Sequence, residues 1–140
     1  MNNTREADED PVPTGELMTR VLVLPADTNA DGDVFGGWIM SQMDLAGSIK
    51  ASNIARGRVA TVAVGAMVFL RPVPIGSTIC CYAEIEEVGR SSVRVLIDVW
   101  VKPPQSQQRY KLTESSIVYV AIDDSGRTRS IQAGRDTEDD

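Results

Sequence analysis

The chain has 140 residues, 42% of them hydrophobic, and carries a formal charge of −6 with no histidine. That length suits one domain with a packed core, and the acidic balance argues against a general nucleic-acid binder, whose footprint is basic. The missing histidine removes Ser-His-Asp and Cys-His chemistry and nearly all zinc enzymes, so no metal centre is expected.

Residues 1–16 are polar and acidic, with Glu6, Asp8, Glu9, Asp10 and Glu16 against Arg5, plus two prolines. They read as a disordered N-terminal segment. No apolar signal region and no run of membrane-spanning length occurs, so neither export nor a membrane partner is expected. "TRVLVL" at 19–24 reads as a strand that Pro25 ends, and "PADTNADGD" at 25–33 as a polar loop. Asp27, Asn29, Asp31 and Gly32 fit the first half of an EF-hand calcium loop. The twelfth position should be a bidentate Glu and is Trp38, and the preceding segment is strand-like where a helix belongs. The plainer alternative is a loop whose Asp and Asn residues make turns and cap a helix.

From about Gly36 to Ala55 the pattern is helical, without proline, and apolar on more than one face, as in a buried helix. After it the chain reads β: residues 59–73, 77–89, 91–102 and 109–123, joined by short turns. Cys80 and Cys81 are adjacent. In a strand they point to opposite faces and cannot pair, so reduced thiols and a cytoplasmic location are expected.

One strand, one long helix and four more long strands imply an α+β hotdog arrangement, an antiparallel sheet wrapped around a central helix. The domain is expected over 17–132, followed by a polar acidic tail at 133–140. Open edge strands in so small a sheet suggest a homodimer.

Three features of the helix and its approach carry chemistry. Gly36 and Gly37 open the helix, where unpaired amides and the positive dipole end can hold an oxyanion. Asp44 is a carboxylate within an apolar helix. It is open to reading as a base or nucleophile, as a buried Asp satisfied by a nearby hydroxyl, or as an exposed one beside Gln42. Ser48 lies one turn further on, where it either orients Asp44 or bonds back to its own helix.

"PADTNADGDVFGGWIMSQMDLAGSIKA", "GRVATVAVGAMVFLRPV" and "VGRSSVRVLIDVWV" together resemble the YciA-like acyl-CoA thioesterases over about residues 17–132. The resemblance implies hydrolysis of acyl-CoA to a free acid and coenzyme A, with no cofactor beyond the CoA of the substrate. It places the working parts on Asn29, Gly36, Gly37 and Asp44, and coenzyme A binding on Gly89, Arg90, Ser91 and Ser92. Without the resemblance, "GRSS" is an ordinary β-turn that offers a cation, two hydroxyls and turn amides. Arg56, Arg58 and Arg71 are further phosphate contacts to consider, and Trp100 and Met67 read as core or interface residues. Relatives often carry polar residues where this chain has Gly65, Ala66 and Val68, which bears on the acyl pocket rather than on the class. The resemblance also implies a hexamer built as a trimer of dimers. A hotdog hydratase is the enzyme alternative, but it would need a histidine. The non-enzyme alternative is a hotdog domain that binds acyl-CoA as a regulator without turnover.

Gly37 and Asp44 are seven residues apart, a rise of about 10 Å along one helix. That is too far for both to serve one carbonyl, so the active site is expected to be shared between two chains with antiparallel helices.

Overall fold

The computed structural model describes residues 12–131. Strand β1 is Glu16–Leu22, helix α1 is Gly36–Ala55, and β2 (Val59–Val64), β3 (Thr78–Val88), β4 (Ser92–Lys102) and β5 (Tyr110–Ala121) complete one antiparallel sheet in the order β1-β3-β4-β5-β2. This is the hotdog arrangement expected from the sequence. The helix bounds agree with the sequence reading, and β3, β4 and β5 agree to within two residues at each end.

The alternation of β4 explains the core. Val93, Val95, Ile97, Val99 and Val101 are fully buried and face the helix, each buried aliphatic side chain contributing roughly 1.5–3 kcal/mol. The helix meets them with Ile39, Met43, Ala46, Gly47, Ala51 and Ala55, and the small residues let it sit close to the sheet. Its other flank, with Met40, Leu45 and Ile49, remains exposed at 41%, 51% and 36%. The expected burial on several faces is thus met on one face within a single chain. Arg56, in the left-handed conformation (φ 56), ends the helix ahead of Gly57.

On the opposite face of the sheet Trp100 is buried, and its Nε1 donates to Asp98 at 3.0 Å. Asp98 also accepts from the Thr14 N–H at 2.9 Å. The segment from Thr14 is therefore placed, and Glu16 already belongs to β1, so the expected disorder does not extend to residue 16. Its remainder at 1–11, and the tail at 133–140, lie outside the described residues. Both thiols are free. Cys81 lies in the core and Cys80 on the outer face beside Trp100 and Arg20, its cross-strand partners.

The run 59–73 is not one strand. Pairing with β5 stops at Val64↔Ile117. Gly65 then passes so close to β5 that a Cβ would meet the Ser116 carbonyl oxygen at 2.9 Å. The Gly65 N–H still donates to that oxygen (2.8 Å), and the Leu70 N–H donates to Leu112 O (3.2 Å). Between them the chain leaves the sheet, with Val68 and Leu70 exposed. Pro72 and Pro74 have no N–H to resume a ladder. The first strand is also shifted, to Glu16–Leu22 rather than 19–24.

Candidate active site

The loop between β1 and α1 is a compact, self-bonded turn. A single 3-10 turn at Pro25–Asp27 follows β1, where an EF-hand would place a helix. Asn29 Oδ1 accepts the N–H groups of Asp31 (2.9 Å) and Asp33 (3.2 Å). The Asn29 N–H donates to Asp33 O, and the Gly32 N–H to Asn29 O. Gly32 takes φ +81, the left-handed geometry such a turn requires. Asn29 is thus the turn-forming Asn of the plainer reading. The same bonds also fix its amide: the carbonyl oxygen is held inside the turn, and the exposed side chain keeps its NH2 group as a fixed donor.

Backbone bonds tie the loop to the helix start. The Val34 N–H donates to Val73 O, and the Phe35 N–H to Asp27 O. Phe35 is the N-cap and makes no side-chain cap bond, so no Asp or Asn of the loop caps the helix. Phe35 O accepts from the N–H groups of Trp38 (3.0 Å) and Ile39 (3.3 Å). Gly36 and Gly37 are exposed, and their N–H groups have no backbone acceptor among the described residues. They are the open amides of the helix end. A Cβ on Gly36 would meet Phe69 Cε2 at 3.2 Å, whereas a Cβ on Gly37 would meet nothing within 4 Å. Beside them lies a cavity of about 410 Å³ lined by Val34, Ile39, Phe69, Leu70, Val73 and Leu112, with Arg71 its cation. The Arg71 guanidinium stacks over the Tyr110 ring at 4.1 Å.

Asp44 lies mid-helix and is half buried. Its Oδ1 accepts from Thr61 Oγ1 at 2.7 Å and from the Tyr119 hydroxyl at 3.0 Å. The same hydroxyl lies 2.9 Å from the Asp44 carbonyl oxygen. Burial first, and then the neighbouring Asp44 carboxylate, push the Tyr119 phenol far above its ordinary range, so it stays protonated and serves as a donor. Ser48 is not one of these partners. Its hydroxyl donates to Leu45 O at 2.8 Å, the local option open to a helical serine. The groups that hold Asp44 come instead from β2 and β5. One signal for Tyr119 was available: the period of 2 in β5 sets it on the core face with Ile117 and Ala121, and a buried phenol needs a partner.

The "GRSS" segment forms the β3–β4 hairpin turn. The Gly89 N–H donates to Ser92 O at 2.7 Å, and Arg90 is exposed at the tip. The Ala121 N–H donates to Ser91 O, and Arg129 Nη2 to Ala55 O while the Arg129 N–H donates to Ala121 O. The turn therefore sits at the end of the sheet nearest the helix C-terminus, while the cavity and the glycines sit at the other end with Leu112. Asp44 lies between. Of the other arginines, Arg58 donates to the carbonyls of Asp123 and Asp124, and Arg56 caps the helix. Within one chain Gly89, Arg90, Ser91 and Ser92 are not brought to Gly36 and Gly37, and Asp44 is not brought to either group.

A family model described as the thioesterase superfamily matches residues 31–107. The acyl-CoA thioester hydrolase YciA of Escherichia coli is 54% identical over 123 residues, which cover 86% of this chain and 93% of the relative. The crystal structure of the hexameric thioesterase y2039 from Yersinia pestis superposes with a TM-score of 0.81 at 54% identity, covering 85% of this chain and 97% of that one. A second, described as a hexameric broad specificity acyl-coenzyme A thioesterase, gives a TM-score of 0.83 at 48% identity, covering 86% and 84%. That enzyme has also been solved as an Asp-to-Ala variant.

Proposed function

The chain belongs to the thioesterase superfamily, among its acyl-CoA thioester hydrolases, and from that premise we propose how its residues divide the work. The reaction adds water across the thioester: the C–S bond breaks, the carbonyl carbon gains a hydroxyl oxygen, and coenzyme A leaves as the thiol. The carbonyl oxygen is received by the open N–H groups of Gly36 and Gly37. Asp44 acts as general base toward water or as the attacking carboxylate. The Asn29 NH2 group holds the water or donates to the carbonyl. The apolar cavity beside Gly36 takes the acyl chain, and Arg90, with the Gly89, Ser91 and Ser92 groups of its turn, meets the phosphates of coenzyme A. Backbone amides, side chains and water supply all of this chemistry, so the proposed reaction calls on no cofactor or metal.

The observation that carries this reading is the opposition of a fixed carboxylate at mid-helix and two open amides at the helix start. They stand about 10 Å apart by helix rise, beyond the roughly 3 Å at which an oxyanion donor acts. We place the working site between two chains. Asn29, Gly36 and Gly37 of one protomer face Asp44 of its partner across antiparallel helices. Edge strand β2 and the exposed Met40, Leu45 and Ile49 supply the surface such a dimer would bury. The same inversion carries the partner's hairpin turn toward this chain's glycines. Three such dimers form the hexamer. Reduced Cys80 and Cys81 suit a cytoplasmic enzyme; no described helix is long and apolar enough to cross a membrane.

The test is release of free thiol from acyl-CoAs of increasing chain length, followed with a thiol reagent. Thiol release across part of the series is expected. Tight binding of acyl-CoA without any release would favour a regulatory acyl-CoA-binding domain instead.

A further inference from the structure

Two strands and the helix converge on one oxygen of Asp44. Thr61 and Tyr119 are directly opposed across the β2–β5 ladder, so their side chains share a face and stand next to each other. Both reach Oδ1 of Asp44, at 2.7 and 3.0 Å. No hydrogen bond reaches Oδ2 among the described residues. Gly47, one helical turn on from Asp44, lies directly under this contact. A Cβ there would sit 2.2 Å from the Tyr119 hydroxyl oxygen, 2.9 Å from its Cζ and 3.0 Å from Ile97 Cδ1. A glycine in a helix interior is unfavourable, and here it clears the path of the phenol.

We propose that Thr61 and Tyr119 are positioning residues that clamp Oδ1 of Asp44 and reserve Oδ2 as the oxygen that meets substrate or water, with Gly47 providing the clearance for the clamp. The inference rests on the assignment of Asp44 above. An aspartate carboxylate can turn about its last bond and exchange its two oxygens. Hydrogen bonds to one oxygen stop that rotation and draw charge toward the bonded atom, leaving the other with a free lone pair at a fixed angle. The single proton of Tyr119 is shared between Oδ1 and the Asp44 carbonyl, so Thr61 makes the stronger contact with the carboxylate. Tyr119 adds rigidity: its ring is fully buried, and its hydroxyl ties the carboxylate to the helix backbone. Together they hold the reacting group before substrate arrives.

The experiment is steady-state kinetics on Thr61→Val, Thr61→Ser, Tyr119→Phe, the Thr61→Val/Tyr119→Phe double variant, Gly47→Ala and Asp44→Asn, with melting curves for each. Thr61→Val and Tyr119→Phe should each lower kcat by about tenfold to a hundredfold, the scale of a reacting group displaced by an ångström, with KM within about twofold. The double variant should fall below either single one. Thr61→Ser keeps the donor and should recover most of kcat, and Gly47→Ala should resemble Tyr119→Phe although the phenol is intact. If Gly47→Ala does not fold, the Thr61 pair decides. Asp44→Asn without turnover beside wild-type kcat in Thr61→Val and Tyr119→Phe overturns the clamp and leaves the assignment of Asp44 standing. A loss confined to KM, or equal loss in Thr61→Ser and Thr61→Val, also overturns it. Near-normal turnover in Asp44→Asn overturns the assignment itself.

Discussion

Co-expression of two inactive chains tests whether the site is shared. One chain carries Asp44→Ala and the other Asn29→Ala, each with its own affinity tag. Seven residues separate Gly37 from Asp44, a rise of about 10 Å, and side chains leaning toward the helix N-terminus recover only a few of those ångströms. A single chain therefore cannot bring both to one carbonyl, whereas two antiparallel helices can. In a two-fold dimer each site then takes Asn29 from one chain and Asp44 from the other. A mixed dimer holds one doubly damaged site and one intact site. With random pairing of equal amounts, about half the dimers are mixed and half their sites work, so about a quarter of wild-type activity should return. Mixed dimers purified through both tags should reach about half. The assay is thiol release from acyl-CoA, with the composition of the dimers measured by native mass spectrometry. Confirmed mixed dimers with no more activity than either parent would refute the distance argument and place the site within one chain.

Asp44→Asn should lower kcat by about a hundredfold or more while the melting temperature stays close to wild type, the scale expected for loss of a base or nucleophile; near-normal turnover would remove Asp44 from the chemistry. Arg90→Ala should raise KM for acyl-CoA far more than for a short thioester without the nucleotide, and an equal effect on both would make Arg90 structural. Burial pushes the Cys81 thiol up from 9.0 to about 11. Ionisation is thus favoured in the unfolded chain, and the stability this group contributes is full below about pH 9 and lost as pH rises toward about 11. The melting temperature should fall over that window, and Cys81→Val should flatten the fall. At neutral pH a thiol reagent should modify the half-buried Cys80 before Cys81.

The helix over Gly36–Ala55 was legible as a long apolar run without proline, β4 by its period of 2, and β3 and β5 as runs bounded by turns, signals that follow from local backbone geometry and side-chain type. The run 59–73 shows where that reasoning stops. β-branched composition signals willingness to extend, but a strand lasts only while a partner's register holds, and β5 releases the chain after Val64. Glu16 was read as part of a charged segment because its partner Ala83 lies far along the chain. Asp44 and the paired glycines stood out as unusual residues for their local setting, whereas Asn29 was marked only by the family resemblance, since an Asn in a polar loop is ordinary. Thr61 and Tyr119 did not, since a threonine and a tyrosine in β-strands are ordinary. Ser48 was selected by helical spacing from Asp44, yet its hydroxyl satisfies itself on Leu45 O.

The sequence by itself determined the helix, the strands β3 to β5, the inward and outward faces of β4, the absence of histidine chemistry and the one carboxylate placed in an apolar helix. Those follow from side-chain type and local periodicity, which need no knowledge of distant residues. Only the tertiary structure decided what holds that carboxylate. The antiparallel register of β2 on β5 sets Thr61 opposite Tyr119, and the packing of the helix on the sheet at Gly47 brings both within hydrogen-bond reach of Asp44. A contact across 75 residues depends on register and on the space left by a missing Cβ, and neither is written in the local pattern of the chain.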